Sequence, residues 1–219
     1  MNRTFITATG TDVGKTMVTC ALIYHLIKNA KAVRAIKPII SGYTEHTMDS
    51  IDTAEIIRAL GHKMTPETIA QVSPWRFTHA LAPDMAALRE GRAIDYQDLL
   101  DFCSINNQPG DLLIEGVGGA FVPLDDKHLV VDWINDLDIG VIVVAGSYLG
   151  TLSHTVATIE ALRGRGVAIK GIIISESEDS PVPMDELVAT MKRLIPETRV
   201  EVIPRVAHWS DGPDLTLML

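Results

Sequence analysis

Short runs of Val, Ile, Leu and Ala recur along the chain, separated by stretches in which apolar residues return every three or four positions. The runs predict strands over Arg3 to Ala8, Val33 to Ile36, Asp111 to Ile114, Ile139 to Ala145, Val167 to Ile174 and Val200 to Ile203. The run Ile139 to Ala145 is apolar throughout, as in a central strand covered on both faces. Helical spacing predicts a helix from about Lys15 through Lys28, ending at Asn29, and another through Ala54 to Leu60, stopped by Gly61. Asp49 or Ser50 is placed to cap that second helix. Further helices are expected over Asp84 to Arg89, Asp95 to Phe102, Leu129 to Leu137, Leu149 to Leu162 and Met184 to Leu194. Ile39 to Met48 and Ser175 to Pro183 read as loops, Gln108-Pro109-Gly110 as a turn, and Thr65 to Pro83, with three prolines, as irregular. Strands alternating with helices predict an α/β fold: a doubly wound, mostly parallel sheet in one domain over residues 1–219.

The first predicted strand runs into Gly10-Thr11-Asp12-Val13-Gly14-Lys15-Thr16 and then a helix. Strand, loop, Gly-Lys-Thr and helix are the parts of a phosphate-binding loop (P-loop). Backbone N–H groups at a helix start converge on one point, where the helix dipole favours negative charge. Gly14 admits a phosphate oxygen close to the backbone, Lys15 adds a cation, and the Thr16 hydroxyl suits Mg²⁺. The usual pattern has Gly four residues before the triplet; here Thr9 stands there, with Gly10 beside it.

Three more charged residues fall near the same sheet edge. Glu115 sits at the tip of a strand, where P-loop enzymes place an acid for Mg²⁺, although a solvated turn carboxylate reads the same in sequence. Asp52 lies in a first helical turn, where a favourable dipole is reason enough for an acid. Lys37 closes a buried strand on the ligand side; it faces either a second anion or solvent. The helix start near Gly150, with Thr151 and Ser153, is a further anion site or an ordinary cap. The seven histidines show no metal-ligand spacing, and Trp75, Trp133 and Trp209 read as packing residues.

Composition narrows the class. A net charge of −9 argues against nucleic acid and against an anionic membrane as partners. No apolar run is long enough to span a bilayer, and the N-terminus lacks the features of a signal peptide, so a cytoplasmic enzyme is expected. Cys20 and Cys103 read as reduced thiols.

Taken together, these segments resemble the dethiobiotin synthetase family. Gly10 to Thr16 is similar to its P-loop, and Lys37-Pro38-Ile39-Ile40-Ser41-Gly42 to its catalytic lysine segment. Glu115-Gly116-Val117-Gly118-Gly119 followed by Val122-Pro123-Leu124 resembles its acidic strand-end motif. Leu149-Gly150 with Ser153-His154 resembles its dimer-facing substrate loop, and Ile203-Pro204 its last strand and base-side turn. The resemblance implies ATP-dependent closure of a cyclic urea from 7,8-diaminononanoate and CO₂ or bicarbonate, by a homodimer. It implies Lys15 and Lys37 as catalytic residues, and Thr16, Asp52 and Glu115 as ligands of Mg²⁺. Asp12, Val13, Gly14, Lys15, Thr16, Met17, Asp52, Glu115, Gly116, Val117 and Gly118 would contact the phosphates and metal side of the nucleotide. Ser175, Glu176, Pro204, Arg205, Val206 and Asp211 would contact its base side. Thr11 and Ser41, with Leu149, Gly150 and Ser153 of the partner subunit, would hold the diamine substrate.

Three positions depart from the family pattern. Ala8 stands for a common Gly, Asp12 for a common Glu, and Ser175-Glu176 for an Asn-Asp pair that reads adenine. A single hydroxyl cannot make the two-pronged amide contact to adenine, so other nucleoside triphosphates join ATP as candidates. The alternative expectation is a partitioning-type P-loop ATPase, a switch that binds protein partners. Such proteins carry a second lysine early in the loop, where this chain has Thr9, Gly10 and Thr11.

Overall fold

The computed structural model describes residues 2–44, 46, 51–104 and 109–219. Six parallel strands form the main sheet: β1 (Arg3–Ala8), β2 (Val33–Ile36), β5 (Asp111–Glu115), β6 (Gly140–Gly146), β7 (Ile169–Ser175) and β8 (Val200–Ile203). Their spatial order is β2-β5-β1-β6-β7-β8. β1 therefore sits between β5 and β6, where the winding reverses, and a crevice opens beyond its C-terminal end. A second, two-stranded parallel sheet pairs β3 (Ile39–Ser41) with β4 (Trp75–Phe77).

Alternation along the strands divides the core. Phe5, Leu112, Ile114, Val141, Val143, Ala145, Ile172 and Ile174 face one side, and Ile6, Ala8, Leu113, Ile142, Val144 and Ile173 the other. The second face is covered by α1 (Lys15–Lys28), α2 (Asp52–Ala59) and α3 (Pro66–Val72). The first is covered by α4 (Pro83–Arg89), α5 (Tyr96–Ser104), α6 (Val130–Leu137), α7 (Thr151–Gly164) and α8 (Met184–Leu194). Because both faces are covered, the central strands β5 and β6 read in sequence as near-continuous apolar runs.

Two stretches differ from the sequence expectation. Ile39–Ser41 is a strand rather than loop, because β4 gives it a parallel partner. The stretch Thr65 to Pro83 holds α3 and β4. Pro66 and Pro83 each stand at the start of a helix, where a missing N–H costs nothing, and Thr65 and Thr68 cap α3 reciprocally. α2 is preceded by Ile51 with no side-chain cap; the expected caps Asp49 and Ser50 lie outside the described residues, as do Met48 and Gln108.

Trp133 of α6 is fully buried and meets Phe5 edge-to-face at a centroid distance of 4.8 Å. Trp133→Ala is expected to lower unfolding free energy by about 3–5 kcal/mol. Urea denaturation measures it, and a loss below about 1 kcal/mol would contradict this packing.

Candidate active site

The chain leaves β1 at Ala8, and the Thr9 N–H donates to Val144 O at 3.0 Å, so the loop starts from a fixed point on the sheet. Gly14 takes φ +94° and closes the loop onto α1. A side chain there would also collide with Ser175 Oγ and Cβ, so two separate constraints require glycine. Lys15 follows at the first helical position, 7 % exposed, its Nζ donating to Gly10 O at 3.3 Å. Burial, and then the Lys37 charge, bring its pKa down from the ordinary lysine value to about 8.

Next to it lies a cluster drawn from four elements. Lys37, just past β2, sends Nζ to Glu115 Oε1 at 2.8 Å and to Asp52 Oδ2. Glu115 ends β5 and is 1 % exposed; Asp52 begins α2. Thr16 Oγ1 of α1 donates to the same Glu115 Oε1 at 2.7 Å. Burial alone would lower the Lys37 pKa, but Glu115 and Asp52 outweigh it and hold the ammonium above the ordinary lysine value. Burial alone would raise the Asp52 carboxyl, but Lys37 outweighs it and keeps the pKa below the ordinary value. Both acceptor bonds to Glu115 use Oε1, and Oε2 is buried with no partner. The Thr16 hydroxyl, the Asp52 carboxylate and the orphaned Glu115 oxygen are the hard donors that Mg²⁺ takes beside phosphate oxygens. Among the described residues no group of three or more His, Cys, Asp or Glu side chains forms a separate metal cluster.

Two cavities meet at the P-loop. One, of about 740 Å³, is lined by Thr11, Lys15, Thr16, Lys37, Ser41 and Asp52 on its polar side. Its apolar wall is Ile40, Ala80, Leu81, Ala82, Pro83, Val117 and Val122, with Gly118 between. The other, of about 850 Å³, is lined by Val13, Ser175, Glu176, Ser177, Glu178, Pro204, Arg205, Val206 and Ala207. Asp12, Gly14 and Met17 belong to both, so a phosphate chain on the loop would join the two chambers.

The structure thus brings together most of the residues singled out in sequence. Gly116 sits against the Phe5 ring beneath the site and lines neither cavity. Asp211, in the short 3₁₀ turn Trp209–Asp211, also lines neither. Leu149, Gly150 and Ser153 stand at the start of α7 and line neither cavity, and Leu149 is 86 % exposed. Ser175 packs closely against the P-loop at Gly14 and lines the second cavity, while Glu176 Oε2 accepts the Arg205 N–H at 2.9 Å. Sequence reasoning missed the apolar wall Ala80 to Pro83, whose only local signal is the proline that opens α4.

Comparisons with known proteins agree with this geometry. Residues 2–211 match the sequence profile of a family described as "AAA domain". The chain is 45 % identical over 217 residues to the ATP-dependent dethiobiotin synthetase of Acidiphilium cryptum, covering 98 % of this chain and 95 % of that protein. It is 37 % identical to the enzyme of the same name from Caulobacter vibrioides, with both chains covered in full. Among solved structures, the ParA family ATPase of Chlorobium tepidum superposes with a TM-score of 0.52 at 16 % identity, over 94 % of this chain and 84 % of that one. A chain of the MinC:MinD cell division protein complex of Aquifex aeolicus gives 0.55 at 14 % identity, over 94 % of this chain and 83 % of that one. At such identities the likeness to partitioning and cell-division ATPases shows a shared fold alone.

The depressed Lys15 pKa has a measurable sign. In the free site at pH 8.5 much of Lys15 is neutral, and a bound polyphosphate restores the ammonium, so binding takes up a proton. Calorimetric titration of a nucleoside triphosphate in buffers of different ionisation enthalpy is expected to show net uptake at pH 8.5 that fades by pH 6.5. Absence of uptake at both pH values would contradict the assignment.

Proposed function

The chain belongs to the ATP-dependent dethiobiotin synthetase family, and on that premise we propose which of its residues carry out each part of the reaction. The protein is an ATP-dependent cyclo-ligase. It carboxylates 7,8-diaminononanoate with CO₂, phosphorylates the resulting carbamate, and closes the ureido ring with loss of phosphate. The observation that carries the assignment is the meeting of Lys15 and Lys37 at one end of a half-apolar cavity.

The chemistry explains that meeting. A carbamate is an anion, and it must approach another anion, the γ-phosphate. Lys15 and Lys37 supply two cations from different βα junctions to offset that repulsion and to stabilise charge as the phosphoryl group moves. Thr11 and Ser41 offer hydroxyls beside the same cavity end. The wall of Ile40, Leu81, Pro83, Val117 and Val122 suits the hydrocarbon chain of the diamine and excludes water from it. Thr16, Asp52 and the free oxygen of Glu115 would hold Mg²⁺, which neutralises phosphate charge when bound.

The base-side chamber would take the nucleoside of ATP between Val13, Pro204 and Val206, with Glu176 anchoring the turn that carries Arg205. Ser175 offers that chamber a single hydroxyl and no paired amide contact for adenine, so other triphosphates would serve beside ATP. The far end of the substrate, a carboxylate, would meet the α7 start of a second copy, with Leu149, Gly150 and Ser153, which line neither cavity of their own chain, and a homodimer would complete each site. We place the reaction in the cytoplasm; among the described residues no helix is long and apolar enough to cross a membrane, and both cysteines are free and buried.

Phosphate release is expected only when 7,8-diaminononanoate, bicarbonate and Mg·ATP are all present. A coupled phosphate assay with each component omitted in turn measures this, with dethiobiotin formed in equal amount to phosphate. Equal hydrolysis without the diamine would contradict the reading and favour a nucleotide switch.

A further inference from the structure

We propose that Thr53 and Ser73 position the Lys37 ammonium through a buried hydroxyl relay that closes a ring between the end of β2 and the first turn of α2. The proposal rests on the role given to Lys37 above. Both hydroxyl residues are fully buried. Ser73 Oγ donates to the Lys37 carbonyl at 2.6 Å. A serine hydroxyl carries one proton. That proton is committed to the carbonyl, so in the 2.7 Å contact between Thr53 Oγ1 and Ser73 Oγ the threonine is the donor. The direction of both bonds is thereby fixed: Thr53 to Ser73 to Lys37.

The Lys37 main chain is gripped from the other side as well, since its N–H donates to Val72 O at 3.1 Å. Val72 ends α3, and Ser73 follows it. The side chain of Lys37, meanwhile, is held by Asp52, the neighbour of Thr53 in α2. The ring therefore runs from Lys37 Nζ through Asp52 and Thr53 to Ser73 and back to the Lys37 carbonyl. One helical turn sets both ends of the lysine. Thr53 does not cap its own helix, which has no side-chain cap, and its proton goes to Ser73 instead. Chained hydroxyl donors polarise each other, so losing the first weakens the second. Neither hydroxyl lines the cavity; both act through Lys37. A displacement of Lys37 by about 1 Å is enough to cost on the order of 10²-fold in rate.

The test compares Thr53→Val, Thr53→Ser, Ser73→Ala and the double variant Thr53→Val/Ser73→Ala. Thr53→Val, which keeps the shape and removes the donor, is expected to lower kcat about tenfold or more while KM for ATP stays within about twofold. Thr53→Ser should retain wild-type kcat, and the double variant should be no worse than Ser73→Ala alone. A second readout needs no turnover: the ¹⁵N-edited signal of the Lys37 ammonium, identified by its loss in Lys37→Met. That signal should shift and exchange faster with water in Thr53→Val, and stay in place in Thr53→Ser. An unchanged signal and kcat in Thr53→Val, equal losses in Thr53→Val and Thr53→Ser, or losses that multiply in the double variant would each overturn the relay. Should Thr53→Val fail to fold, Ser73→Ala carries the same comparison. A wild-type protein that makes no dethiobiotin, yet shows the ammonium response, would sink the reaction and leave the relay standing.

Discussion

A buried ammonium group between two carboxylates holds this site together. Lys37 is 4 % exposed, and a lone charge in that place would be strongly disfavoured. Glu115 and Asp52 make it tolerable, and Lys37 in turn makes a carboxylate at the tip of β5 tolerable. The partners come from β2, β5 and α2, and Thr16 of α1 joins through its hydroxyl. Neither β5 nor α2 can move away from the end of β2 without separating Lys37 from one of its carboxylates.

Sheet order explains why those elements meet. β1 lies between β5 and β6, so the loop leaving β1 faces the strand tip that carries Glu115. β2 pairs with the far side of β5, which brings Lys37 to the other flank of the same carboxylate. The crevice beyond the strand ends is then walled by one cation on the P-loop and one on the β2 side. On the opposite flank, Ser175 at the end of β7 packs on Gly14, which ties the second chamber to the same loop. A nucleotide spanning both chambers would therefore be gripped by neighbours of a single rigid sheet edge.

Much of this was legible in the residues alone. Apolar runs marked the central strands β5 and β6 most clearly, because burial on both faces leaves no room for polar alternation there. Gly14-Lys15-Thr16 announced the P-loop despite Thr9, since the geometry rests on Gly14 and on the helix start. What stayed hidden depended on partners distant in sequence. Ile39–Ser41 is a strand only because Trp75–Phe77 lies beside it. Thr53 and Ser73 look like any helix or loop hydroxyl until the fold sets them 2.7 Å apart. Ser175 reads as a poor adenine contact in sequence, and its packing against Gly14 supplies a different reason for a small residue.

The mutual dependence of Lys37 and Glu115 is tested most directly by a double-mutant cycle on stability. Urea unfolding of the wild type, Lys37→Met, Glu115→Gln and the double variant gives the coupling. Lys37→Met should cost about 3–5 kcal/mol, because it leaves a buried carboxylate without its cation. The double variant should cost less than the sum of the singles by more than about 1 kcal/mol. Costs that add to within about 0.5 kcal/mol would contradict the account, since the two side chains would then be independent.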